Sequence, residues 1–489
     1  MSMALGIEDK TRQGLLWSTI IKIIFHIYRF SISIVIARLL DPQDFGIMAI
    51  ATMVVFYANS FTEFGFNNAL IQLPTISKRH VNTVFTINLI ISFTLLILTI
   101  LLSEAIAHYF HSPESEMVLK ALSIVFVVST LYEMPRTLLR RSIDFKYLSI
   151  VNALQSVIRS IITLCLAILG FKYWALVWGQ IVPMLLATFV LMFKAKWIPK
   201  IYFSTEILKS IIDFSIWSFL RSQLFYLNTY IPQFFIGRFL GPIPLGFFGK
   251  AYSLCEIPLQ SIASSINSVM YSSFSRMQKD KNRLKAWLKK IILMESAVII
   301  PIFFGLFSVS SHFVLVVLGD KWADAIHPIQ ILCFAGIFNT FNGISTSLNI
   351  AVGDYRNHTI KIAISIPLQI IFCIAFVRNG VSGIAYSFTV VSAILSVLFL
   401  KGTVKNTGIP IKELFFPVFP YLISSLAMLV SLNWLSNSFF SEKSITNLIW
   451  MICSGAIIYF LGVVSYNYIN DKGLFYPLYT ARKKADQPQ

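Results

Sequence analysis

The sequence predicts an all-α polytopic membrane protein of about 14 transmembrane helices, built as two parallel six-helix repeats around a central cavity, with two further helices at the C-terminal end. Composition, the placement of positive charge and an internal repeat carry that expectation. Of 489 residues, 56% are hydrophobic and 13% charged, against about 25% charged in an ordinary globular chain. Mean hydropathy is +0.73. A chain with so few polar groups cannot cover its own apolar surface, so part of its solvent must be lipid.

A span needs about 20 mostly apolar residues. Scanning on that basis places spans near 14–37, 45–69, 82–104, 116–135, 147–170, 173–193, 210–237, 245–271, 291–318, 327–351, 359–377, 381–400, 414–435 and 446–468. The intervening loops are short, and none has room for a soluble domain. The N-terminal stretch, with Glu8, Asp9, Lys10 and Arg12 before a long first span, lacks the short core and small-residue cleavage site of a signal peptide.

The net charge of +18 would suit nucleic acid if it formed one face, but it sits in clusters between apolar runs. With the N-terminus inside, the inner segments hold 28 of the 40 Lys and Arg residues, including Lys78, Arg79, Arg140, Arg141 and the run from Arg276 to Lys290. The outer loops hold six: Arg38, Lys172, Arg238, Lys321, Arg378 and Lys443. A wrong span count would scramble this alternation, so both termini are expected in the cytoplasm and no nucleic-acid partner is expected. The five cysteines, Cys165, Cys255, Cys333, Cys373 and Cys453, are widely spaced inside apolar runs; they read as buried free thiols, with no disulfide framework and no metal site.

Sliding the chain against itself by 200 residues aligns 17–51 with 217–251 without a gap, nine of 35 positions being identical. The shared core is Arg38-Leu-Leu-Asp-Pro-Gln-Asp-Phe-Gly46 and Arg238-Phe-Leu-Gly-Pro-Ile-Pro-Leu-Gly246. It reads as a tight turn in which Pro stops one helix, Gly lets the next begin close by and Arg meets the last exposed carbonyls. A weaker echo is Asp144-Phe145-Lys146 against Asp354-Tyr355-Arg356. Both copies enter the membrane in the same direction, which gives repeats related by an axis along the membrane normal. The expected divisions are an N-lobe over 1–200 (spans 1–6), a C-lobe over 201–405 (spans 7–12) and an appendage over 406–489 (spans 13 and 14).

Ionisable groups inside spans are costly and point to function. Lys22, His26 and Arg29 in span 1 fall within an arc of about 60° on one helix face, an anion-binding arrangement if the face is hydrated. Arg159 in span 5 and Arg221 in span 7 are further candidate anion contacts. Polar residues recur at helical spacing in Asn152 and Gln155, in Asn59, Glu63 and Asn67, in Asn228, in Gln260, Ser264 and Asn267, and in Asn339, Asn342 and Asn349. Of these, Asn59, Glu63, Asn152, Gln155, Asn228, Asn267, Asn339 and Asn342 are the expected cavity lining. Any single stripe is as well explained by helix–helix contact. Glu63, Asp213 and Glu256 are candidates for proton or sodium coupling, and Glu295 is placed near the inner end of its span, where charge is cheap. No cofactor is expected. The sequence lacks G-x-x-x-x-G-K-[ST], H-E-x-x-H and G-x-S-x-G, so neither ATP-driven transport nor those hydrolytic chemistries are expected.

Ala37-Arg-Leu-Leu-Asp-Pro-Gln-Asp-Phe-Gly46, Glu63-Phe-Gly-Phe-Asn-Asn-Ala-Leu-Ile-Gln72, Phe274-Ser-Arg-Met-Gln278 and Leu318-Gly-Asp-Lys-Trp322 give the chain a resemblance, over essentially its whole length, to the lipid-linked oligosaccharide flippases of the multidrug/oligosaccharidyl-lipid/polysaccharide superfamily. Within it the O-antigen and colanic-acid exporter branch is the most similar. The resemblance implies a transporter of the bacterial inner membrane rather than an enzyme. Its implied substrate is undecaprenyl-pyrophosphate-linked oligosaccharide, flipped to the outer leaflet for surface polysaccharide export, with the pyrophosphate received by Lys22, His26, Arg29, Arg159 and Arg221. It further implies membrane lipid around the spans, a lipid-tail groove formed with the help of the last two helices, and polysaccharide polymerase and chain-length proteins as partners. An ion-coupled multidrug antiporter of the same superfamily and a membrane polymerase or ligase acting on lipid-linked sugars are the alternatives. The basic face of span 1 and the short outer loops argue against them.

Overall fold

The computed structural model describes residues 25, 28–263, 270, 273–278, 280–440 and 442–469. Lys22, His26 and Asn267 lie outside the described residues. So do the side chains of Glu63 and Arg221, whose backbones are helical. The described chain contains helices and no strand. Ten stretches among the described residues are long and apolar enough to cross a membrane. They coincide with the expected spans 2–6 and 9–14, one of them, Tyr355–Thr407, being two helices folded at residues 377–379. Side chains such as Leu101, 71% exposed, and Phe193, 88% exposed, make sense only against lipid.

The chain divides into two compact units, residues 1–246 and 247–489. The first holds α1 (28–39), α2 (Pro42–Glu63), α3 (Phe66–Gln72), α4 (Lys78–Tyr109), α5 (Glu114–Arg141), α6 (Phe145–Ile168), α7 (Tyr173–Ala195), α8 (Thr205–Phe239) and the first turn of α9 (Pro242–Pro258). Helix α8 belongs to this unit because it packs on α2, α3 and α4, and Gln223 donates from it to Ser60 Oγ at 2.7 Å. The packing division therefore falls later in the chain than the sequence repeat.

The two copies of the repeated turn meet each other within this unit. A Cβ on Gly46 would collide with the carbonyl of Pro242, and one on Gly246 with the carbonyl of Pro42. Each glycine thus seats the other copy's first helical turn, a use of glycine that a single turn read alone does not suggest. In the first copy Pro42 opens α2 and Asp44 closes the N-terminus, accepting from the Asp41 N–H at 3.0 Å. The second Asp44 oxygen accepts from the Tyr173 N–H at 3.1 Å, so one carboxylate serves the N-termini of two helices, where negative charge is favoured.

Span 2, read as one helix, is broken. Phe64 (φ 32°) and Gly65 (φ 75°) are both left-handed and separate α2 from α3. The unfavourable backbone of Phe64 is held by stacking of its ring on Phe219 of α8, centroids 4.4 Å apart. Arg141 then caps the far end of α3, its guanidinium donating to the carbonyls of Leu70 at 2.7 Å, Leu73 at 2.6 Å and Pro74 at 2.8 Å. The acidic–aromatic–basic trio is explained locally, since Asp144 accepts from the Tyr147 N–H at the head of α6.

The second unit holds α10 (273–277), α11 (Lys281–Phe313), α12 (Ile326–Ala351), α13 (Tyr355–Phe376), α14 (Gly380–Thr407), the short α15 (Ile411–Phe415), α16 (Phe419–Ser438) and α17 (Ile445–Ile469). Span 8 departs from a plain helix, because α9 runs into a π-helical turn at Leu259–Ala263. Between α11 and α12, Gly319 (φ 100°) turns the chain so that Trp322 is fully buried against Phe247. That accounts for the Leu318-Gly-Asp-Lys-Trp322 motif. Cys255, Cys333 and Cys373 are buried as expected, but Cys165 and Cys453 are exposed. Cys165 shares an outward apolar face of α6 with Ile161 and Ile168, since position within a span says nothing about which face meets lipid.

Candidate functional site

Within the first unit, α1, α2, α5, α6 and α7 enclose a cavity of about 550 Å³. Arg29, Asn59, Ser129, Asn152, Gln155, Arg159 and Gln180 are among its polar lining, and among the described residues no acidic one lines it. The helical spacing of Asn152, Gln155 and Arg159 puts all three on one face of α6, and that face is turned into the cavity. Close approach of α6 and α7 closes the back wall: Gly179 lies so near Thr163 that a Cβ there would strike its hydroxyl.

Neutral polar partners hold the site together. Arg159 donates from Nη2 to Gln180 Oε1 at 3.3 Å. The buried Tyr132 hydroxyl is shared between Asn152 Oδ1 at 3.3 Å and Gln155 Oε1 at 3.4 Å. Asn59 donates to Ser129 Oγ at 3.1 Å. Arg29 and Arg159 both line the cavity, near enough for their charges to repel. Tyr132 itself is tethered from below by Arg136, which lies over its ring at 5.6 Å and pairs with Glu133. Among the described residues the recess thus holds two cations and no carboxylate, chemistry that suits an anion.

The cavity thus brings together five of the residues expected from sequence: Arg29, Asn59, Asn152, Gln155 and Arg159. It does not include Asn228, half-buried on α8, nor the exposed Asp213. Glu256 accepts from Gln260 one turn along its own helix at 3.0 Å. Asn339 and Asn342 lie in the second unit, where Asn342 is buried and donates to Asn339 Oδ1 and to the Ser392 carbonyl, each at 3.3 Å. Seven residues on, Asn349 donates to the Phe399 carbonyl at 3.4 Å and accepts from Asn406 at 3.0 Å. These asparagines join α12 to α14. Sequence reasoning missed Gln180, Ser129 and Tyr132. A lone glutamine in a strongly apolar span was the available signal for the first; the hydroxyls carry none.

A second recess, apolar and of about 440 Å³, lies between α11, α16 and α17. Gly305, Gly455 and Ala456 open it, and Leu306, Met428 and Phe460 are among its walls.

The profile of the family described as polysaccharide biosynthesis protein matches residues 35–327. A membrane protein of the cps region of Klebsiella pneumoniae is 25% identical over 489 residues, covering 96% of this chain and 99% of that one. The lipopolysaccharide biosynthesis protein WzxC of Escherichia coli K12 is 24% identical over 404 residues, 81% of each chain. Among solved structures, the lipid II flippase MurJ in an inward closed conformation superposes with a TM-score of 0.77 at 17% identity, over 92% of this chain and 99% of that chain.

Proposed function

The chain belongs to the polysaccharide biosynthesis protein family, and on that premise we propose that it is a flippase carrying an undecaprenyl-pyrophosphate-linked oligosaccharide from the cytoplasmic to the outer leaflet of the bacterial inner membrane. The names of its relatives, the MurJ-like fold and the apolar helices support this reading. One observation carries it: Arg29 and Arg159 together line a polar cavity that no described acidic residue lines. A diphosphate loses its hydration on entering the protein, and charge-assisted bonds from guanidinium groups offset that loss as an apolar cleft cannot. A cationic drug would meet repulsion in the same place.

In this reading the pyrophosphate sits between Arg29 and Arg159, with Lys22, His26 and Arg221 as further cationic contacts. Gln180 holds the Arg159 fork in place. Asn59, Asn152 and Gln155 offer amide donors and acceptors to the first sugars, with Asn228, Asn267 and Glu63 as further polar contacts; Asn339 and Asn342, engaged between α12 and α14, do not share this role. The prenyl chain stays in apolar surroundings. The lobes at 1–200 and 201–405 present the cavity alternately to the two sides, and a polysaccharide polymerase and chain-length proteins take the product onward.

Native mass spectrometry of the purified protein with an undecaprenyl-pyrophosphate oligosaccharide tests this reading. Retention by the wild type, lost on Arg159→Gln and absent for the same lipid without phosphate, is the expected result. Equal retention of the phosphate-free lipid would defeat it.

A further inference from the structure

Glu295 stands near the middle of the 33-residue helix α11 and is fully buried. The expectation that it lies where charge is cheap is therefore corrected: α11 extends well beyond the inner end of the apolar run, and the residue is enclosed by neighbouring helices. On its own face Leu288, Ile291, Ile292 and Ile299 are buried with it. The first three belong to one apolar cluster with Phe341, Ile344 and Leu348 of α12. Among the described residues neither carboxylate oxygen has a hydrogen-bond partner, and no ion pair involves it.

Among the described residues, α11 is met by α12, α14, α15, α16, α17, the π turn at Val314–Leu318 and the 3₁₀ turn at Phe416–Val418. The last two carry no titratable side chain; the helices carry His327, Cys333, Tyr386, Lys401, Lys405, Lys412, Glu413, Tyr421, Cys453, Tyr459, Tyr466 and Tyr468. Of these, Tyr459 reaches the backbone two residues from Glu295, its hydroxyl donating to the Ala297 carbonyl at 2.7 Å. On α11 itself Lys289 is paired with Glu413 at 2.7 Å and Lys290 lies over the Trp287 ring at 5.1 Å. Among the described residues no hydrogen bond and no ion pair compensates a negative charge at Glu295.

The helix is also built to bend just above it. Pro301 has no N–H to give to the Ala297 carbonyl, and that carbonyl is the one the Tyr459 hydroxyl occupies. The α11 ladder is therefore closed at this point by a side chain from α17 rather than by its own backbone, and a shift of α17 opens it.

We propose that Glu295 is a proton-binding site of the second unit. Packed as here, its carboxylate holds one proton taken from water; when α11 bends at Pro301 and the seam with α12 admits water, that proton returns to water. A bare carboxylate in such surroundings costs several kcal/mol, so the packed arrangement and proton occupancy favour each other. Linkage of this proton to translocation rests on the flippase reading; the binding itself does not.

The two are tested separately on the full chain in liposomes. Infrared difference spectra of wild type against Glu295→Gln at neutral pH are expected to show a protonated-carboxyl stretch in the wild type alone; its absence overturns the site. In flipping assays an imposed proton gradient is expected to change the wild-type rate by about fivefold or more, Glu295→Gln to lose that response and Glu295→Asp to keep it with a displaced pH midpoint. A gradient response retained in Glu295→Gln, or one that follows sodium instead of protons, overturns the coupling. A wild type that does not flip defeats the flippase reading while the infrared result still decides the site.

Discussion

The two units use the same kind of sequence signal for opposite ends. In the first, the Asn152, Gln155 and Arg159 face of α6 opens into a cavity where Arg29 of α1 joins Arg159 and no described carboxylate lies in the lining. In the second, the Asn342 and Asn349 face of α12 is closed, each amide bonded to a carbonyl of α14 fifty residues further along the chain. The acidic–aromatic–basic trio sets an offset of 210, at which Arg159 corresponds to Gln369. That glutamine is fully buried and donates to Ser387 Oγ at 3.0 Å. A polar stripe in a span is therefore a site where its helix face meets a gap, and an adhesive where it meets another helix.

Exchanging the two characters is the severest way to break this comparison. Gln369→Arg places an unpaired cation in the closed position, with an expected cost of about 3 kcal/mol, read as loss of folded protein from the membrane. Arg159→Ala is expected to slow flipping about tenfold to hundredfold while thermal unfolding in detergent shifts by less than about 0.5 kcal/mol. Asn349→Ala should do the reverse: a stability loss of about 1–2 kcal/mol, with the flipping rate per folded molecule unchanged. The smallest effect is expected from Gln180→Leu, which leaves Arg159 in place but unsteadied. Substrate retention should weaken about two- to tenfold, and unchanged affinity would remove Gln180 from the site.

Much of the fold was legible because lipid imposes long apolar runs, and helix after helix coincides with one. What the runs could not convey was interruption. Phe64 and Gly65 break α2 from α3 inside one expected span, and Phe64 is held there by stacking on Phe219, 155 positions away in sequence. The repeated Pro and Gly turn was visible, but its reciprocal packing, Gly46 on Pro242 and Gly246 on Pro42, is a tertiary fact. In the site, neither charge nor polarity alone was decisive: Arg29, Arg159, Asn59, Asn152 and Gln155 line the cavity while Asp213 and Glu256 do not. Asn342 has the spacing of a lining residue and is buried in an interface, whereas Ser129 and Tyr132 support the cavity with hydroxyls that could belong anywhere. Glu295 was misplaced because the end of an apolar run is not the end of a helix, and α11 continues past it.

The central claim is that the cavity of the first unit receives the anionic head of a lipid-linked oligosaccharide. It is tested most directly with purified protein in liposomes containing a fluorescent undecaprenyl-pyrophosphate oligosaccharide, by following leaflet accessibility of the sugar for wild type and for the double variant Arg29→Ala, Arg159→Ala. The account predicts protein-dependent translocation in the wild type and its near-abolition in a double variant that remains folded. Translocation by that variant at the wild-type rate would contradict it.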